Sequence, residues 1–107
     1  MFRRSPKPTD PLVRLELALQ KGDHEDALLA YGELEKKGKG EPRWPHKRGD
    51  LLRRLGRDEE AIEAYRTAVD FYAARGFLAR SIAMAKLILA IDPKRLDILE
   101  RVDPDEA

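Results

Sequence analysis

The side chains able to do chemistry are few and scattered. Among 107 residues there are two histidines and no cysteine. Disulfides, thiolate metal cages and cysteine nucleophiles are therefore excluded. His24 stands beside Asp23, Glu25 and Asp26, a group that could hold a metal ion. Acids also collect at a solvated helix N-terminus, where the dipole favours them, and that is much the commoner reason for such a run. His46 is too far along the chain to share a helix face with His24. Ser5 and Ser81 have no neighbouring base to activate them. Gly38 and Gly40, in KKGKGEP, follow no strand and so make no phosphate-binding loop. Asp58, Glu59, Glu60 and Glu63 read as the acid-rich first turn of a helix. The expectation is a protein that is not an enzyme and uses no metal and no cofactor.

One run invites a partner. KKGKGEPRWPHKRGDLLRRLGR, residues 36–57, holds nine Lys/Arg: Lys36, Lys37, Lys39, Arg43, Lys47, Arg48, Arg53, Arg54 and Arg57. The net charge of +1 hides this. Residues 1–57 carry 14 Lys/Arg against 9 Asp/Glu, and residues 58–107 carry 7 against 11. Phosphates or carboxylates could answer such a patch. The pI of about 8.0 is below the ~9 typical of dedicated nucleic-acid domains. One tryptophan offers no stacking platform. Carboxylates of another protein are favoured, and nucleic acid is the lesser alternative.

Helices must position these groups. Thr9 or Asp10 before Pro11 is a helix start, with a capping side chain and then proline in the first turn. Leu12, Leu15 and Leu19 follow at helical spacing, and Gly22 closes the helix. Asp23 caps a second helix carrying Ala27, Leu28, Tyr31 and Leu34, and 36–42 is read as the loop that ends it. A third helix is expected from about Trp44 to Leu55, and a fourth from Asp58 towards Arg75. A fifth over 77–91 is apolar almost all round and is expected to pack deeply. Asp92-Pro93 ends it, and a short sixth helix over 94–102 follows from Leu96, Leu99 and Val102. No segment alternates with period two, so the fold class is all-α. The organisation expected is a flexible basic tail at 1–8, a helical domain over 9–102 and a frayed acidic end at 103–107. The longest apolar stretch, SIAMAKLILAI, is too short to cross a bilayer, and a cytoplasmic location is expected.

The chain repeats itself. GDHEDALLAY at 22–31 aligns without a gap on GRDEEAIEAY at 56–65, an offset of 34 residues. A fixed period of that size marks stacked supersecondary units. Helix, glycine turn and helix at this spacing resemble the tetratricopeptide repeat (TPR) family. The signature positions are Gly22, Ala27 and Tyr31 in one unit and Gly49, Gly56, Ala61, Tyr65 and Ala68 in the next. Gly76 and Pro93 belong to a third, spliced unit, with Gly76 only 20 residues after Gly56. The resemblance implies antiparallel helix hairpins stacked as a short solenoid of five to six helices. By its register Arg43, His46, Asp50, Arg53 and Arg54 point into a concave groove, with Lys47 and Arg57 near the rim. It implies an adaptor or scaffold that binds another protein, through an acidic segment or a C-terminal tail. The lysine–asparagine clamp of some members is not reproduced, because His46 and Asp50 stand at the nearest positions. A second, weaker resemblance joins Tyr72–Pro93 to helical regions that precede cyclic-nucleotide-binding domains in bacterial multidomain proteins. Two or three repeats without a polar capping helix leave apolar end surfaces, particularly around the fifth helix, which gives the alternative of a docking or self-associating regulatory domain, a homo-oligomer formed through residues 77–102.

Overall fold

The computed structural model describes residues 10–98. The tail at 1–8, the acidic end at 103–107 and residues 99–102 of the sixth helix lie outside them. Five helices follow in order: α1 (Pro11–Lys21), α2 (His24–Gly38), α3 (Arg43–Arg54), α4 (Asp58–Ala74) and α5 (Leu78–Ile91). Among the described residues there is no strand, and no helix is long and apolar enough to cross a membrane.

Local chemistry explains the boundaries. Asp10 accepts the Leu12 N–H at 2.9 Å, and Pro11 opens α1. Asp23 does the same for α2, accepting the Asp26 N–H at 3.1 Å. Three turns share one hydrogen-bond pattern. Asp23 N–H donates to Ala18 O, Arg57 N–H to Leu52 O and Phe77 N–H to Tyr72 O, each at 2.9 Å. In each, the preceding glycine (Gly22, Gly56 or Gly76) takes a left-handed φ, at 70°, 75° and 79°. This is the glycine-closed helix end, in which two freed N–H groups return to the last carbonyls. The link from α2 to α3 is different, running from Gly38 through Lys39 and Gly40 to Pro42. α4 therefore ends one such turn and begins the next.

Some expectations need correction. α2 runs on to Gly38, so Lys36 and Lys37 lie in its last turn rather than in a loop; cations are favoured at that end of a helix. α4 does open at Asp58, but Arg57 before it provides no side-chain cap. α5 is not deeply packed all round. Ser81, Met84, Ala85 and Ile88 are buried along one stripe, while Phe77 and Leu78 at its start are exposed. Apolar composition does not supply neighbours, and of the helices described α4 is the one packed along it. A helical turn begins at Leu96, whose side chain faces solvent, whereas Ile98 is fully buried.

Each helix packs on the next in chain order. The apolar side chains form two cores, and α3 is the wall between them. Leu51 joins Leu15, Ala18, Ala27, Ala30, Tyr31 and Leu34 of α1 and α2. Its neighbour Leu52 joins the opposite core, made by α4, α5 and Ile98. The paired repeat positions Ala27 and Ala61, Ala30 and Ala64, Tyr31 and Tyr65 are all buried. Half-buried ion pairs bridge the helices: Arg14 with Asp26 and Glu33 ties α1 to α2, and Arg48 with Glu35 ties α3 to α2.

The tightest contact is between α3 and α4. A Cβ on Gly49 would come within 2.7 Å of two ring carbons of Tyr65, which is itself buried. Gly32, in α2, has nothing within 4 Å of the same point. Replacing a helical glycine by alanine gains up to about 1 kcal/mol in propensity, while overfilling a packed contact costs about 1–3 kcal/mol. Gly49→Ala should thus destabilise by about 1–2 kcal/mol, because the ring has no room to retreat. Gly32→Ala should stabilise by about 0.5–1 kcal/mol. Urea denaturation followed by circular dichroism reads both.

Candidate functional site

α3 divides its surface three ways. Pro45, Gly49 and Leu52 are buried towards α4, while Leu51 and Arg48 turn towards α1 and α2. Arg43, His46, Lys47, Asp50, Arg53 and Arg54 fall at helical spacing on the remaining arc. Five of them are exposed, and His46 is half-buried. Four side chains that are cationic at neutral pH thus share one face with a single carboxylate, Asp50.

Asp50 organises the polar groups there. The Tyr65 hydroxyl donates to Asp50 Oδ1 at 2.6 Å. His46 Nε2 lies 3.7 Å from Asp50 Oδ2, and His46 Nδ1 is 2.9 Å from the Tyr72 hydroxyl. The His46 and Tyr72 rings meet edge to face with centroids 5.9 Å apart, and Phe77 continues the series at 6.5 Å from Tyr72. Burial pushes the Tyr65 phenol above its ordinary value, and the hydrogen bond and charge of Asp50 push it further; Arg53, also bonded to that hydroxyl, opposes them. Burial raises the Tyr31 phenol too, with Arg54 opposing and Asp50 adding. At the other end of the face, Arg43 lies over the Trp44 ring at 5.2 Å, and Trp44 is tilted against Tyr31 at 6.4 Å.

Arg57 is set apart from this face. Its guanidinium is engaged by Glu60 at 2.8 Å and by Glu25 of α2, across the turn between α3 and α4. The other residues weighed for chemistry have structural partners. Glu25 pairs with Arg57, Asp26 with Arg14, and Asp23 caps α2, so the acids around His24 are already committed. Among the described residues no three His, Cys, Asp or Glu side chains are grouped to hold a metal. Ser81 is fully buried and donates to Val69 O at 2.9 Å.

Sequence reasoning placed the tyrosines in the core and missed that their hydroxyls reach the α3 face. The signal was there: both repeat units carry tyrosine, not phenylalanine, at 31 and 65, and a buried phenol usually finds a partner. What the arrangement can do is attract and orient an anion. Comparison with known families finds no matching family model, and comparison with curated proteins finds no match.

Because folding raises the Tyr65 phenol, its contribution to stability is complete below about pH 10, the ordinary phenol value, and is lost as pH rises past it. Ultraviolet difference titration should show at least one tyrosine ionising above the free phenol. Urea midpoints of the wild type should fall beyond about pH 10, and Tyr65→Phe should fall less steeply, retaining the share due to Tyr31.

Proposed function

We propose that the chain is a non-enzymatic interaction module, an adaptor that docks an acidic segment of another protein on the outward face of α3. The observation that carries this reading is the arc of Arg43, Lys47, Arg53 and Arg54, exposed together around one carboxylate. Guanidinium groups grip carboxylates through paired N–H donors, so arginine on an open helix face suits an acidic peptide. The 34-residue repeat and the shared turn pattern support reading the stack as TPR-like, with α3 as the first helix of the second hairpin. A second reading has one observation in its favour. Phe77 and Leu78 leave an apolar edge at the start of α5, as expected of a domain that docks on a neighbour or on itself.

The test uses a fluorescein-labelled peptide of mixed Asp and Glu and fluorescence anisotropy at low salt. Arg53→Glu with Arg54→Glu should weaken binding by about tenfold or more, equivalent to about 1.4 kcal/mol, with helicity unchanged. Equal binding by the variant overturns the basic face as the docking site. Tighter binding of a labelled single-stranded oligonucleotide, lost in the same variant and steeply salt-dependent, would transfer the face to nucleic acid.

A further inference from the structure

At the end of the stack where α1 turns into α2, a cleft of about 250 Å³ is lined by Leu19, His24, Leu51, Arg54 and Leu55. It brings the last turns of α1 and α3 together at the first residue of α2, so α1 and α3 run in the same sense. Leu51 is buried and forms the floor, Leu55 is half-buried, and Leu19 is 43% exposed. The space is below the ~300–1,000 Å³ of small-molecule sites. It suits one large apolar side chain.

Two rails lead away from it. On α1, Leu12 precedes Leu19 by seven residues and is likewise exposed, at 46%. On α3, Lys47 precedes Arg54 by the same interval, and both are exposed. Seven residues are two turns, a rise of about 10.5 Å, so apolar positions on α1 and cationic positions on α3 recur at the same interval on two helices that meet at the cleft. Lys47 and Arg54 have no carboxylate partner among the described residues. An occupant must therefore supply carboxylates on one edge and aliphatic side chains on the adjacent edge, with both repeating at helical intervals.

We infer that the partner segment is an amphipathic acidic helix, seating a leucine-like side chain in the α1–α3 cleft and aligning its carboxylates with Lys47 and Arg54. This rests on the docking face proposed above and adds the shape and apolar content of what binds there. An apolar helix edge laid along a groove is a common recognition mode. Here the charge beside the groove fixes which way round the helix lies.

Three synthetic helical peptides separate the two levels: one with leucines on one edge and glutamates on the next, its Leu→Ser analogue and its Glu→Gln analogue. Calorimetry should show the parent binding at least about tenfold tighter than the serine analogue, and Leu19→Gln should reduce that preference to about threefold or less. Leu12→Gln, on the same rail, should lower it in the same direction. Because both leucines are largely exposed, circular dichroism should be unchanged. Equal binding of parent and serine analogue by the wild type overturns the cleft as an anchor and leaves the acidic docking face standing. Failure of both to bind, with Arg53→Glu/Arg54→Glu also silent, removes the docking face and the inference with it. Tight binding of the glutamine analogue would make the surface purely apolar and overturn the charge alignment.

Discussion

The missing Cβ of Gly49 sets the geometry on which the rest depends. With only hydrogen at that point, the Tyr65 ring lies directly against the α3 backbone. Its hydroxyl then reaches Asp50 Oδ1 at 2.6 Å while the residue stays buried. One close approach therefore does two things. It fixes the α3–α4 crossing, and it gives a buried phenol a carboxylate partner in exposed Asp50. The equivalent place in the first hairpin is Leu15, a buried side chain rather than a gap. Tyr31 consequently sits in a different environment, against Trp44, and its hydroxyl senses Arg54 and Asp50 rather than donating to either in a short bond. The two repeat units share positions but differ in how closely their helices meet.

Charge is divided in the same economical way. The cations that knit helices together are half-buried and matched: Arg14 by Asp26 and Glu33, Arg48 by Glu35. Exposed pairs such as Arg57–Glu60 add little, since surface ion pairs are typically worth less than about 1 kcal/mol. Stability rests mainly on the two apolar cores that meet at Leu51 and Leu52. The cations on the α3 arc are not required by either core. Arg53 and Arg54 suit the last turn of α3, where the helix dipole favours cations; the anionic partner proposed above would account for all four standing together.

The element boundaries were legible because they are local. Asp10-Pro11, Asp23 and the three turn glycines each settle their helix end within four residues of chain. The face of α3 was legible for a similar reason, since residues at 43, 46, 47, 50, 53 and 54 share an arc of any straight helix. Non-local facts were not. Nothing in SIAMAKLILAI says that, among the described helices, α4 alone will cover α5, so its composition reads as deep burial when only Ser81, Met84, Ala85 and Ile88 of its 14 residues are buried. The commitment of Arg57 to Glu25 depends on α2 lying across the turn. The cleft at Leu19 and Leu55 needs two helices from different hairpins, and neither leucine looks unusual in its own segment.

The turns decide where such a stack can be open. Gly22, Gly56 and Gly76 close their helices with the same hydrogen bonds, but the interval between the last two is 20 residues rather than 34. α4 consequently serves two hairpins, one with α3 and one with α5. Neighbours in the chain are neighbours in space throughout. In that order the central helix has both flanks occupied, by α2 and by α4, and its outward arc can be covered only by something that is not one of the five helices. α1 and α5 have the opposite situation, each with one flank free and exposed apolar residues on it. A partner that lies on α3 and reaches to Leu12 and Leu19 would use the free flank of α1 as well as the central arc, which places both halves of the proposed interface on surfaces that the fold itself leaves uncovered.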